Sequence, residues 1–202
     1  PVAAAENEYT LKSGSCGLPL PGVEIKIDNP DENGIGEIAI KGPNVMLGYY
    51  EMPEETNKVL KDGWFYSGDL GYKDKDGSVF ITGRQKNVIV LKNGKNIYPE
   101  ELEALIVKYP YVSEAMAFGK EKGDDLLVSV KIVYNEEYVK QNYPGMSEEE
   151  FKKIVWNDIK EINKTLPQYK YIKNLVLTNE PMVKTTTAKI KRFEEIKKEN
   201  KN

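Results

Sequence analysis

Short segments in which apolar and polar residues alternate fill the first part of the chain, to about Thr82. Val23–Ile27 and Glu37–Lys41 both show this period of two, which is typical of a half-buried β-strand. Turn dipeptides stand at Asp62-Gly63 and Asp76-Gly77, and the residues on either side of the second predict a hairpin. The pattern therefore predicts an antiparallel, β-rich segment.

After Arg84 the pattern changes to alternating strands and helices. A β-branched run predicts a strand over Val88–Leu91, and Pro99 opens a helix whose apolar residues recur on one face. Further strands are predicted over residues 114–118, 126–133 and 172–177.

The longest predicted helix begins at Ser147, where Glu150 completes a capping box, and Pro167 stops it. Its apolar stripe consists of Phe151, Ile154, Val155, Ile159, Ile162 and Leu166. The fold class that follows is α+β. A β-rich subdomain, residues 1–84, precedes a small α+β domain, residues 85–202.

Composition excludes several classes of site. The chain of 202 residues contains no histidine and one cysteine, Cys16, which rules out Ser-His-Asp triads, histidine-containing metal sites and internal disulfides. The net charge of -3 gives no general reason to bind nucleic acid. A single thiol fits a reducing, cytoplasmic compartment.

No apolar run approaches the ~20 residues of a membrane-spanning helix. The sequence starts at Pro1 rather than at methionine, so we expect a fragment of a longer protein, whose targeting segments this sequence would not contain.

Two segments in the first part carry candidate binding groups. Asp69 follows an aromatic strand and is flanked by Gly68, and its carboxylate could accept hydrogen bonds from two neighbouring hydroxyls, as on a ribose. Arg84 offers a planar fork of donors suited to ribose or phosphate. Taken singly, Asp69 is more often an aspartate that stabilises a turn. Arg84 taken singly is more often a solvated charge at the end of a strand.

Two further segments lie in the second part. Asn93-Gly94 makes a tight turn before a helix, and Gly94 would let a narrow ligand pass close to the backbone. Lys189 follows Thr185–Thr187 on a predicted mobile loop and could reach a phosphate as a point charge. The alternative for Asn93-Gly94 is an ordinary loop, and the alternative for the Lys189 segment is a solvated basic end.

In their order, these segments resemble the adenylate-forming superfamily of acyl-CoA synthetases, luciferases and peptide-synthetase adenylation domains. Gly36–Tyr50 resembles its glycine-tyrosine motif, and Tyr66–Leu70 resembles Tyr-Thr-Gly-Asp-Leu with Ser67 in place of threonine. Gly83–Lys86 resembles the hinge motif, and Thr187–Arg192 the final lysine motif. The helical stretch over residues 134–166 and the ending resemble long-chain fatty-acid CoA ligases most.

The resemblance implies a role for each matching residue. Asp69 and Arg84 would bind the ribose of ATP, and Lys189 would contact the carboxylate and α-phosphate during adenylation. The small domain would then rotate about Lys86, and the pantetheine arm of CoA would pass beside Gly94. The implied reaction joins a fatty acid to CoA, with ATP converted to AMP and pyrophosphate.

The chain also lacks two motifs of the family pattern. It contains nothing that resembles the phosphate-binding loop or the Thr-Glu motif whose glutamate holds Mg²⁺, so no metal ligand is assigned here. We therefore expect this chain alone to lack ligase activity. An adenylating enzyme that loads a carrier protein, and a non-catalytic binding module of the same fold, are the alternative functions.

A fatty substrate would suggest weak peripheral contact of the protein with a membrane surface. The stripe of the helix from Ser147 has the width of an ordinary core-facing stripe, which favours packing against the protein. The sequence gives no oligomeric state.

Overall fold

The computed structural model describes residues 2–123 and 125–200, with only the backbone described at Asp125. The chain divides into two compact units, Pro1–Asn87 and Val88–Asn202. The predicted α+β class is confirmed. The domain boundary after residue 84 stays a prediction, and the division lies close to it.

The first unit is mostly β-strand. Its elements are β1 (Ala4–Ala5), β2 (Leu18–Pro19), β3 (Glu24–Asp28), β4 (Gly36–Lys41), α1 (Pro53–Val59), β5 (Leu60–Lys61), β6 (Trp64–Lys73) and β7 (Val79–Arg84). β1 and β2 form one antiparallel pair, and the other strands form a second antiparallel sheet.

β6 is the centre of that sheet. β4 pairs along one edge of β6, while β5 and β7 share the other edge, β5 at its start and β7 at its end. The predicted strands at Val23–Ile27 and Glu37–Lys41 are confirmed as β3 and β4. The turn at Asp76-Gly77 joins β6 to β7, so the predicted hairpin is confirmed as well.

The second unit alternates strands and helices. Its elements are β8 (Ile89–Val90), β9 (Asn96–Ile97), α2 (Pro99–Ile106), β10 (Val112–Lys122), β11 (Asp125–Tyr134), α3 (Glu136–Asn142), α4 (Glu148–Lys164), β12 (Asn174–Thr178) and α5 (Arg192–Glu199). β8 and β9 form a small hairpin. The main sheet has the order β10-β11-β12, with β10 antiparallel and β12 parallel to β11.

The main sheet is covered on both faces, because successive strand residues point to opposite sides. On one face, Ala115 and Ala117 of β10 pack in a cluster with helices α2 and α4. We call this the α2/α4 cluster, and its members include Ile89, Ile97, Leu102, Ile106, Tyr111, Ala117, Val128, Val130, Ile132, Phe151, Val155, Ile159 and Ile172. On the other face lies the α5 cluster, which consists of Met116, Phe118, Val133, Met182, Ile190 and Ile196.

The capping box of α4 forms as predicted. The Glu150 N–H donates to Ser147 Oγ at 3.3 Å, and the Ser147 N–H donates to Glu150 Oε2 at 2.9 Å. Phe151 follows in the first turn and contacts the rings of Tyr111 and Tyr134 edge-on. These contacts fix the start of α4 against the sheet.

Helix α3 lies within the stretch over residues 134–166 that the resemblance indicated as helical, whereas α5 was not predicted from the sequence. Helix α5 occupies the stretch that the sequence indicates as a basic tail. Its side towards the sheet carries Glu195 and Glu199, which are buried. Because those positions are acidic rather than apolar, the periodicity of apolar residues does not reveal the helix.

Candidate functional site

A β-bulge in β6 presents Asp69. The register places Glu37 opposite Leu70 and Ala39 opposite Tyr66, so the three residues Ser67–Asp69 stand opposite Ile38 alone. Gly68 adopts a φ of +70° within the bulge, a conformation that favours glycine. Bulges of this kind change the direction in which a side chain points.

Side-chain hydrogen bonds hold the bulge in shape. Ser67 Oγ donates to the Ile38 carbonyl at 2.7 Å and accepts from the Asp69 N–H at 3.1 Å. The Gly68 N–H donates to Glu37 Oε1 at 2.9 Å. The structure thus uses only the hydroxyl of Ser67, which the threonine of the family motif would also supply. The role of Glu37 is one that sequence reasoning missed.

Asp69 and Arg84, predicted to act together, are brought into contact. They are register partners on β6 and β7, and Arg84 Nε lies 2.7 Å from Asp69 Oδ1. Both side chains remain partly exposed, at 30% for Asp69 and 47% for Arg84. A carboxylate has about four acceptor positions, so Asp69 can accept from Arg84 and still bind ligand hydroxyls.

Lys86 lies in a short 3₁₀ helix, Gln85–Asn87, at the end of the first unit, and is exposed. The second unit begins two residues later, at Val88. This position is compatible with the predicted hinge, which stays a prediction.

Gly94 stands at the turn of the β8–β9 hairpin. Its N–H donates to the Leu91 carbonyl at 2.9 Å, and the Lys95 N–H donates to Asn93 Oδ1 at 3.1 Å. The φ of Gly94 is +77°, and a Cβ added there would meet nothing within 4 Å. The backbone conformation alone therefore accounts for the glycine, and the space beside it is open.

Lys189 lies in the loop between β12 and α5, and its side chain is exposed. The Thr185 N–H donates to the Lys189 carbonyl at 2.8 Å, and the Lys189 N–H donates to Thr185 Oγ1 at 3.2 Å. Ala188 has a φ of +59°. Among the side chains that the structure describes, no carboxylate forms an ion pair with Lys189 Nζ, so its charge is available to a ligand.

Two carboxylates hold the first end of the Lys189 loop. Glu114 accepts from the Met182 N–H at 3.0 Å and pairs with Lys184 Nζ at 2.6 Å. Glu195 accepts from the Val183 N–H at 3.1 Å. The loop is therefore fixed at its base while Lys189 itself projects into solvent. Sequence reasoning missed both carboxylates.

Glu195 belongs to an ion cluster beneath α5. Lys131 Nζ lies 2.8 Å from Glu195 Oε2 and 2.8 Å from Glu199 Oε1, and the Glu195 side chain is only 1% exposed. Burial by itself would raise the pKa of Glu195, but hydrogen bonds from Lys131, Lys198 and the Val183 N–H outweigh it and lower the pKa from 4.5 to about 2. Glu195 is therefore ionised throughout the ordinary pH range.

The two loops that carry Gly94 and Lys189 are anchored on opposite faces of the main sheet. Ile89 and Ile97, on either side of the Gly94 turn, belong to the α2/α4 cluster. Met182 and Ile190, on either side of Lys189, belong to the α5 cluster. The second unit thus presents one candidate residue from each face.

The described residues contain neither a metal-binding cluster nor a membrane-spanning helix. No group of three or more His, Cys, Asp or Glu side chains there could hold a metal ion. Helices long and apolar enough to cross a membrane are likewise absent from residues 2–123 and 125–200.

Two family models match the sequence. One described as "AMP-binding enzyme" matches residues 1–50, and one described as "AMP-binding enzyme C-terminal domain" matches residues 86–199. Lys86, Gly94 and Lys189 lie within the second match, whereas Asp69 and Arg84 lie between the two.

Curated relatives cover several substrates. The chain is 38% identical over 127 residues to a long-chain-fatty-acid–CoA ligase of Salmonella typhimurium, a match that covers 60% of this chain and 22% of that protein. It is 50% identical over 121 residues to the probable 4-coumarate–CoA ligase 2 of Dictyostelium discoideum, which covers 56% of this chain and 22% of that protein. The matched stretches thus make up 22% of the length of both relatives.

Among solved structures, the fold is similar to o-succinylbenzoate CoA synthetase from Bacillus subtilis in complex with its acyl-adenylate intermediate. The TM-score is 0.73 at 29% identity, and the match covers 91% of this chain and 36% of that one. The likeness extends over both units and agrees with the α+β class.

Proposed function

The chain belongs to the family of AMP-binding enzymes, since the C-terminal domain model covers residues 86–199 of its 202, and we propose that it is the carboxy-terminal portion of an AMP-forming acyl-CoA ligase. The observation that carries this proposal is the placement of Gly94 and Lys189 on supports at opposite faces of one sheet. A rotation of the unit between two half-reactions would bring each of them to one reaction centre in turn.

In the first half-reaction, an oxygen of the substrate carboxylate attacks the α-phosphorus of ATP, and pyrophosphate leaves as acyl-AMP forms. Asp69, oriented by the 2.7 Å contact with Arg84, would hold the ribose hydroxyls. Lys189, whose side chain is exposed on an anchored loop, would neutralise the charge shared by the carboxylate and the α-phosphate.

In the second half-reaction, the sulfur of CoA attacks the carbonyl carbon of acyl-AMP, and the bond to the AMP oxygen breaks. The pantetheine arm would pass the open space beside Gly94. Rotation about Lys86, which lies next to the division between the units, would exchange one loop for the other. ATP and CoA are thus substrates. We expect the Mg²⁺ ligand elsewhere in the ligase, because the sequence contains nothing that resembles the Thr-Glu motif.

We propose a long-chain fatty acid as the acyl substrate, on the similarity to the Salmonella typhimurium ligase at 38% identity. A 4-coumarate-like aromatic acid is the second candidate, because the Dictyostelium discoideum relative is 50% identical over a similar length. Loading of a carrier protein in place of CoA is the remaining alternative.

The test is a substrate panel with the full-length ligase that contains this chain. AMP release is measured with ATP, CoA and, in turn, palmitate, 4-coumarate and o-succinylbenzoate. Release that depends on CoA and is fastest with palmitate supports the proposal. If AMP release is fastest with 4-coumarate, an aromatic acid replaces the fatty acid as the proposed substrate. If the acyl group is transferred only to a carrier protein, the proposed CoA ligase activity is contradicted. The 202-residue chain assayed alone is expected to be inactive.

Replacing Gly94 with valine is expected to slow thioester formation by about tenfold or more while leaving adenylation nearly unchanged. A side chain at this φ would crowd the path of the pantetheine arm and cost roughly 1 kcal/mol of backbone strain. Each half-reaction is measured separately, adenylation by pyrophosphate exchange and thioester formation from supplied acyl-AMP.

Gly145→Val is the matched control for that variant. Gly145 has a φ of +76°, and a Cβ there also meets nothing within 4 Å, so the two substitutions carry the same strain. Equal slowing in both variants would show that the Gly94 effect comes from strain and not from the CoA path.

A further inference from the structure

At Ala117, the free edge of β10 bonds to an ion pair that sequence reasoning did not single out. β10 is an outer strand of the main sheet, and its exposed backbone groups need partners. Glu103 of α2 accepts from the Ala117 N–H at 2.7 Å, and Arg192 Nη1 donates to the Ala117 carbonyl at 3.1 Å. One residue of the edge therefore bonds two side chains.

Glu103 and Arg192 also bind each other. Arg192 Nη2 lies 2.7 Å from Glu103 Oε1 and 2.5 Å from Glu103 Oε2. The two side chains are only 15% and 19% exposed. Contact with both carboxylate oxygens fixes the direction of the guanidinium, while the cost of removing both charges from water limits what such a pair adds to stability. The burial of Glu103 raises its pKa despite the contact with Arg192, which illustrates that cost.

Arg192 forms the second end of the Lys189 loop. It follows Lys189 by three residues, and between them Ile190 packs in the α5 cluster while the Lys191 N–H donates to the Val183 carbonyl at 2.8 Å. Lys191, the N-cap residue of α5, makes no side-chain capping hydrogen bond. Beside these contacts, Arg192 attaches the first residue of α5 to the edge of β10 and to Glu103.

We propose that Glu103 is a positioning residue for Lys189, acting through Arg192. This inference rests on the proposed function. Lys131 holds α5 through Glu195 in the first turn and Glu199 at its end, while the Glu103–Arg192 pair holds the first residue of the helix, next to the Lys189 loop. Helix α2 also begins two residues after β9, so the same pair ties the support of the Gly94 turn to that of the Lys189 loop.

The first test needs no catalysis and uses the 202-residue chain. A nitroxide is attached at Thr186→Cys in a Cys16→Ser background, since Cys16 is the only native thiol. We expect Glu103→Gln and Arg192→Lys to increase the mobility of the label, measured by its electron paramagnetic resonance line shape. Glu194→Gln is the control, because it breaks the exposed Lys191–Glu194 pair in the same segment and should leave the line shape unchanged.

The second test measures both half-reactions in the full-length ligase. Glu103→Gln and Arg192→Lys are each expected to slow adenylation by about tenfold to a hundredfold, with thioester formation from supplied acyl-AMP retained. Glu194→Gln should alter neither. Arg192→Lys keeps the charge but has one nitrogen in place of the two that contact Glu103 and the Ala117 carbonyl separately. Slowing of adenylation in both variants would therefore assign the effect to geometry and not to net charge.

An unchanged line shape, or equal loss of both half-reactions with a fall in thermal stability, would overturn the inference and leave the pair a structural one. Failure of both variants to fold would do the same. The variant Lys189→Ala distinguishes failure of the positioning role of Glu103 from failure of the proposed function of Lys189 in adenylation. If that variant loses adenylation while Glu103→Gln does not, only the positioning role fails, whereas unchanged adenylation in Lys189→Ala removes the proposed function of the loop.

Discussion

Replacing Lys189 with alanine is expected to slow adenylation by about a hundredfold to a thousandfold, the usual effect of removing one charge-stabilising group from an acyl-transfer site. The Lys189 side chain is exposed and forms no ion pair with any side chain that the structure describes. Its removal should therefore leave the fold intact. Thioester formation from supplied acyl-AMP should be spared, because the proposed mechanism assigns that step to the Gly94 loop, which is anchored on the other face of the sheet.

Pyrophosphate exchange in the full-length ligase measures the effect on adenylation. The matched control is Lys191→Ala, since Lys191 lies in the same segment, is exposed and pairs only with Glu194 among the described side chains. It should retain adenylation within about twofold, as expected for a surface charge. Adenylation that survives in Lys189→Ala would contradict the assignment of this lysine, and similar losses in both variants would indicate a general charge effect.

Replacing Glu195 with alanine is expected to lower the free energy of unfolding of the 202-residue chain by about 3–5 kcal/mol. The change leaves Lys131, only 12% exposed, with Glu199 as its remaining partner, and it deprives the Val183 N–H of its acceptor. Denaturant unfolding followed by circular dichroism gives the measurement. The control is Glu194→Ala, on the same helix but 49% exposed, which should cost less than about 1 kcal/mol.

The pH dependence shows whether charge is the cause. Because the pKa of Glu195 is lowered to about 2 from 4.5, its contribution is fully present above pH 4.5 and is lost as the pH falls towards 2. The stability difference between the native chain and Glu195→Gln should therefore narrow between pH 5 and pH 3. A difference that stays constant over this range would mean that volume and packing, and not ionisation, account for the loss.

Local rules predicted the strands and the longest helix well. Alternation located β3 and β4, and the Ser147–Glu150 capping box gave the start of α4 correctly. The strand predicted over residues 172–177 begins at Asn174. Helix α5 was not predicted because two of its buried residues are the charged Glu195 and Glu199. Their partner, Lys131, lies far away in the sequence. No local pattern reveals an ion cluster of that kind.

The candidate site was predicted only in part, because some of its contacts also join segments that lie far apart in the sequence. Motif order singled out Asp69 and Arg84, and the register of β6 and β7 brings them into contact. Their ligand roles, like those of Lys86, Gly94 and Lys189, stay predictions. The groups that hold these residues could not be found, because Glu37, Glu103 and Glu114 act through backbone contacts between distant segments.

If the proposed rotation operates, the placement of the Gly94 and Lys189 loops on opposite faces would also limit how fast a ligase built on this unit turns over. A molecule with the Lys189 loop at the reaction centre would be unavailable for thiol transfer, and one with the Gly94 loop there would be unavailable for adenylation. A substitution that favours one orientation by about 1.4 kcal/mol reduces the relative population of the other tenfold. Under that mechanism, a ligand or cross-link that traps one orientation would inhibit the half-reaction that uses the other.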